Sequence, residues 1–189
     1  MLFNMPTFRF WFGWTRRGIV RYLSQPHWRD WQEIILHHTW KPTVTDFERN
    51  PNGGHWMAVI DRYHRMKGWK KVGYHFVIMP DGLIFVGRSL NEAGAHTVGH
   101  NEKAIGVCLL GNFDEEDIPE EQWVSMKYLI AFLMHRFHLH PTDLYFHRQF
   151  ARKSCPGSKL DLGTIRTVIA VTLPDAAQRY EEILKEGQS

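Results

Sequence analysis

Apolar and polar positions change rhythm several times along this chain. Trp31 to Trp40 contains the continuous run Ile34-Ile35-Leu36, as expected of a strand covered on both faces, and it ends in His37-His38-Thr39. Beyond the loop Pro51-Asn52-Gly53-Gly54, the residues Trp56, Val59, Ile60, Tyr63 and Met66 recur at helical spacing and predict a helix that turns this stripe to the core. Val72 to Met79 reads as a strand, and Pro80-Asp81-Gly82 turns it into Leu83 to Val86, which gives a hairpin. Ala104 to Leu110 is a further apolar strand. Between Ile118 and Phe137, Trp123, Met126, Ile130, Leu133 and Phe137 mark one face of a long helix, with Asp117 placed as N-cap and Pro119 in the first turn. A second helical stretch follows Leu162, and Asp175 to Lys185 reads as a polar, solvated terminal helix. Strands interspersed with helices predict an α/β fold: a single domain with a mixed central β-sheet flanked by helices.

Ahead of this pattern lies an arm, residues 1–28, in which Phe8-Arg9-Phe10-Trp11-Phe12-Gly13-Trp14 precedes Arg16, Arg17 and Arg21. Aromatics mixed with arginines can bind anionic surfaces or stack on bases, but a cluster of this size is expected to pack on the domain, since monomers rarely expose one. The 189 residues, 43% hydrophobic, suit one globular domain with a full core. A formal charge of +3 gives no electrostatic argument for nucleic acid. No stretch reaches the length of a membrane span. Thr15-Arg16-Arg17 lacks the apolar segment of a twin-arginine signal, because Arg21, Ser24, Gln25 and Pro26 intervene. The expectation is a cytoplasmic product that reaches any outside target by release or export. No pattern fixes an oligomeric state.

Candidate chemistry is concentrated in Tyr145 to Gly157, where His147 and Cys155 can both hold a soft metal. They are eight residues apart, which is neither a helical pair nor the spacing of a zinc ribbon, and a loop closed by Pro156-Gly157 can bring them together. A third ligand must come from elsewhere. His37 and His38 end the buried strand and point to opposite faces, so only one of them can meet such a metal while the other faces away or lines a cleft. Three protein ligands leave a position for water, the arrangement of a catalytic site. The two cysteines are too few for a disulfide framework, and Cys108 reads as a small buried apolar residue.

The ordered motifs Gly68-Trp69, Gly73-Tyr74-His75-Phe76, Asp81-Gly82, Gly87-Arg88, Gly94-Ala95-His96-Thr97, Asn101, Ile105-Gly106 and Gly111-Asn112-Phe113 add a second line. This stretch resembles the peptidoglycan recognition proteins and the amidase-type phage lysozymes, members of the zinc-dependent N-acetylmuramoyl-L-alanine amidase family. The likeness covers about residues 31 to 170. It implies Zn²⁺ held by His37, His147 and Cys155, with Tyr74 and Lys153 at the two positions that assist catalysis. It also places Trp69, Arg88, His96 and Asn101, with His38, along a groove for glycan and peptide. The implied division is an arm (1–28), an amidase domain (29–172) and a helical tail (173–189).

The implied function is hydrolysis of the amide between N-acetylmuramic acid and L-alanine in peptidoglycan or a muropeptide. The alternative is a receptor that binds the same ligands without cutting; such receptors commonly lose the cysteine, and Cys155 is present. Two departures stand out. Where some cytoplasmic relatives carry a glutamate this chain has Cys108 and Leu110, and it lacks the disulfides that animal recognition proteins usually add.

Overall fold

The computed structural model describes residues 13–186. The arm's run from Phe8 to Phe12 lies outside the described residues, so its expected packing does too. The described chain opens with β1 (Gly13–Trp14) and α1 (Arg16–Leu23), whose N-cap Thr15 accepts the Gly18 N–H. The sequence pattern did not predict α1, because Arg16, Arg17 and Arg21 interrupt it; Ile19, Val20 and Leu23 are nonetheless fully buried. Then come β2 (Glu33–His38), α2 (Val44–Arg49), α3 (Gly53–Met66), β3 (Phe76–Ile78) and β4 (Ile84–Val86). β5 (Ala104–Leu109), α4 (Glu120–Phe137), β6 (Leu144–Phe146) and α5 (Leu162–Glu186) complete the order.

The six strands form one mixed sheet in the order β1-β4-β3-β5-β2-β6. β3, β5, β2 and β6 run parallel, while β4 and β1 continue the sheet antiparallel. On one face Ile34, Leu36, Phe76, Ile78, Ile105 and Val107 meet α1, α4 and α5 in the larger core. On the other, Val77 and Cys108 pack with Phe47, Met57 and Ile60 of α2 and α3. β2 is therefore covered on both sides, as its unbroken apolar run requires. The expected hairpin is present as β3 and β4, with β3 shorter at both ends than the sequence suggested and β4 starting one residue later and ending at Val86 as expected.

Three helices differ from their sequence reading. α3 buries Met57, Ile60 and His64, whereas Val59, Tyr63 and Met66 of the expected core stripe are exposed. A second apolar face explains the shift, since Trp56, Val59, Ile60 and Tyr63 line a surface groove. α4 begins at Glu120 with Pro119 as an N-cap that makes no side-chain bond; the Asp117 carboxylate instead pairs with Lys159 at 3.0 Å. Last, the two expected C-terminal helices are one: α5 runs through Pro174, and Ile165, Ile169, Ala176 and Tyr180 form a buried stripe on both sides of it. Packing along α4 holds the helix together where proline removes a backbone bond.

Glu116 ties the loop after β5 to the start of α2. Its carboxylate accepts the N–H groups of Asn112, Val44 and Thr45 at 2.8, 3.0 and 3.1 Å. Desolvation opposes the charge, but these donors outweigh it and hold the carboxyl below its usual pKa. A depressed acid stabilises the fold above its unfolded pKa, about 4.3 for glutamate. That contribution disappears as pH falls through the folded value. Glu116→Gln is expected to cost about 1–3 kcal/mol at pH 7, with the difference from wild type shrinking as the pH falls below the unfolded value; denaturant midpoints of both proteins at pH 7 and in acid measure it.

Candidate metal centre

Two neighbouring parallel strands deliver the two imidazoles. Leu36 of β2 is paired with Phe146 of β6, so the next residues, His37 and His147, emerge side by side at the carboxyl ends. Their ring centroids are 4.5 Å apart. Ligand sites in open α/β sheets form at such strand ends. Cys155 comes back to the same point on the loop after the short 3₁₀ turn His147–Gln149. One ligand atom from each of His37, His147 and Cys155 lies within 4.8 Å of the others.

The loop is anchored on several sides. The Cys155 carbonyl accepts the Arg148 N–H at 2.7 Å, and the Arg148 guanidinium donates to the carbonyls of Gly157 and Leu160, each at 2.7 Å. Asp114, from the loop after β5, accepts the Ser154 hydroxyl at 2.6 Å and the Ser158 N–H at 2.7 Å. Gly157, at φ 123°, passes so close to Phe113 that a Cβ would lie 2.4 Å from the Phe113 carbonyl. Only glycine fits there.

The donor set suits a borderline-soft cation. Tetrahedral Zn–N and Zn–S bonds place nitrogen and sulfur about 3.6 Å apart. Nδ1 of His37 and Sγ of Cys155 are separated by 3.7 Å. Burial above all, helped by His96 and His147, holds His37 well below its usual pKa. Burial and the Lys153 ammonium lower His147 to about 4, so both rings are neutral ligands at pH 7. In the bare site burial pushes the Cys155 thiol up to about 12; a bound cation reverses that preference and releases the proton. Among the described residues no fourth side chain of these types joins the group.

While His37 lies buried behind them, His147 and Cys155 face a groove of about 420 Å³, lined also by Trp40, Tyr63, His64, Trp69, Tyr74 and Lys153. It continues past Tyr74 into a second, more apolar section between Trp40, Lys41, Pro42 and the outer face of α3. Tyr74 hydrogen-bonds to the Cys108 thiol, and burial raises its pKa well above normal, so its hydroxyl stays protonated. Cys108 is the β5 partner of His37 and is fully buried. Trp69 stacks on His64 at 4.6 Å and forms the groove wall.

The other residues assigned to the groove have visible duties within the fold. His38 lines the groove without joining the three ligands: its Nδ1 accepts the Phe113 N–H at 3.2 Å and its backbone N–H donates to Cys155 Sγ at 3.4 Å. Arg88 donates to the carbonyls of Val72 and Ala93 at 2.9 and 3.0 Å. The Asn101 side chain accepts the N–H groups of His96 and Thr97 at 2.8 and 2.9 Å. His96 is buried, its pKa lowered to about 3 chiefly by desolvation, and its ring is in contact with His37.

His64 and Trp40 are among the groove residues that escaped the sequence reading. His64 sits in a helix read only for its core stripe, although its place four residues after Ile60 and three after Asp61 is a usable sign of a second face. Trp40 has a φ of 60°, uncommon for an aromatic residue, and its N–H is held by the Gly111 carbonyl at 3.0 Å, which leaves the indole 58% exposed at the rim. No local motif announces that conformation.

Comparison with known proteins now decides the lineage. The family model described as N-acetylmuramoyl-L-alanine amidase matches residues 27–158. The chain belongs to this amidase family. Peptidoglycan-recognition protein LB of Drosophila melanogaster is 34% identical over 67% of this chain and 55% of its own length. Human N-acetylmuramoyl-L-alanine amidase is 35% identical over 67% of this chain and 22% of its own. The chain thus spans about half of one curated relative and about a fifth of the other. Among solved structures, the endolysin amidase LysCS from Clostridium intestinale URNW superposes with a TM-score of 0.62 at 30% identity, covering 79% of this chain and 86% of LysCS. A variant of the Drosophila protein in complex with tracheal cytotoxin superposes with a TM-score of 0.64 at 31% identity, covering 72% and 80%. The amidase fold expected from the sequence is the fold observed.

Because Asp114 braces Ser154 and Ser158 from outside the ligand loop, Asp114→Ala is expected to weaken metal binding about tenfold while leaving the sheet intact. Chelator competition on folded variant and wild type measures the change.

Proposed function

We propose that this amidase-family chain is a zinc-dependent hydrolase that cleaves the amide between N-acetylmuramic acid and the L-alanine of the stem peptide. The observation that carries the reading is the convergence of His37, His147 and Cys155 within 4.8 Å, with His147 and Cys155 opening on a groove. Bound there by two neutral imidazoles and a thiolate, Zn²⁺ supplies Lewis acidity and an activated water at neutral pH.

This chain's own residues supply the rest. Lys153, two residues before Cys155 and in the groove wall, carries a positive charge near the point where the attacked lactyl carbonyl develops negative charge. The protonated Tyr74 hydroxyl can orient water or donate toward the departing amine. Trp69, Tyr63 and Trp40 offer apolar and aromatic surface for sugar and peptide along the groove. The complex of the Drosophila relative with tracheal cytotoxin supports a muropeptide as the occupant.

Incubation with purified peptidoglycan should release stem peptides with a free L-alanine amino terminus, identified by mass spectrometry, and chelator should stop their appearance. Binding of muropeptides with no such product would instead make the protein a receptor. Cys155→Ser should lose both the metal and the product while keeping its circular dichroism spectrum. Lys153→Ala should keep the metal and lower turnover about 100-fold, which zinc stoichiometry and initial rates on the same sample separate.

A further inference from the structure

Behind the metal-facing side of His37 stands His96, which lines the groove and to which the proposed hydrolysis gives no step. His96 Nδ1 lies 3.0 Å from His37 Nε2, and His96 Nε2 lies 3.2 Å from the Ala104 carbonyl oxygen. A carbonyl can only accept, so the buried, neutral His96 ring carries its one proton on Nε2 and donates it to Ala104. Its Nδ1 is then an acceptor. The nitrogen facing it, His37 Nε2, must be the donor. His37 therefore has its proton on the side away from Cys155, and Nδ1, the atom 3.7 Å from Cys155 Sγ, is bare. The Thr97 hydroxyl lies 3.1 Å from His96 Nδ1 and 3.4 Å from His37 Nε2. If it donates to the first or accepts from the second, the proton of His37 stays on Nε2; if it donated to a bare His37 Nε2, two lone pairs would face each other across the 3.0 Å between that atom and His96 Nδ1, which is unfavourable.

The fold holds His96 in this pose from several directions. A Cβ on Gly94 would lie 2.4 Å from its ring, and one on Gly106 would lie 2.5 Å from it. The ring thus occupies a slot that only two glycines leave open. Asn101 fixes the backbone of His96 and Thr97 from the other side. Ala104 begins β5, the strand paired with β2, so the chain of donors starts and ends on adjacent strands of one sheet.

We infer that His96 is a positioning residue for metal binding: it locks the ring orientation and tautomer of His37 so that Nδ1 is presented as a ready ligand atom. This inference rests on the metal-centre reading, but its first test does not. In metal-free wild-type protein labelled with ¹⁵N-histidine, two-bond ¹H–¹⁵N spectra are expected to show His37 protonated on Nε2 and His96 protonated on Nε2. A proton on His37 Nδ1 would overturn the inference whatever the reaction proves to be. The second test is zinc affinity measured by chelator competition. His96→Leu should weaken binding about 10–100-fold, while His96→Asn, whose Oδ1 can accept where Nδ1 did, should recover most of that loss. Equal affinity in all three proteins, or equal loss in both variants at unchanged thermal stability, would overturn it. If His96→Leu does not fold, the wild-type tautomer and the His96→Asn affinity still decide.

Discussion

Parallel pairing of β2 with β6 is the constraint on which the rest of the molecule depends. The two strands are distant in sequence, and their carboxyl ends meet only because α4 carries the chain from β5 over one sheet face to the far side of β2. Side-chain alternation then decides which histidine is which: His37 shares the α3 face with Val77 and Cys108, and His38 shares the α4 face with Ile34 and Leu36. A register slip of one residue would exchange them and leave Cys155 facing the wrong ring.

The same burial that stabilises the sheet sets the electrostatics of the site. Imidazoles taken out of water are kept uncharged, and the Lys153 ammonium nearby works in the same direction. The thiol responds oppositely and needs a cation to become a thiolate. A site of this kind would favour a soft divalent ion over protons on its nitrogens at neutral pH, and the groove beside His147 and Cys155 would leave such an ion accessible from one side.

Much of this was legible in the chain. The unbroken Ile34-Ile35-Leu36 run announced a strand covered twice, the Pro80-Asp81-Gly82 turn announced the hairpin, and the motif order announced the amidase fold. Less legible was the direction in which residues act. Periodicity marked Trp56, Val59, Ile60, Tyr63 and Met66 as one apolar face of α3, and it could not say that the first four line a groove while Met57 meets the core and His64 lies buried beside that groove. α1 is too short, and too rich in arginine, for its three buried residues to form a pattern. Pro174 marks a break only when the stripe from Ile165 to Tyr180 is ignored. For His96 and Asn101 the motif showed that they belong near the centre, but their hydrogen-bond partners lie on Ala104, His37 and the backbone between, which composition does not reveal.

The ligand loop is not self-sufficient. Arg148 closes it from within, but the Asp114 carboxylate that fixes Ser154 and Ser158 enters from a turn 40 residues earlier. Transplanting residues 147–158 onto another scaffold would carry two donors and leave their brace behind. An evolutionary shuffle or a designed chimera would have to move the turn after β5 in the same step, so the inheritable unit here is a pair of loops, not one.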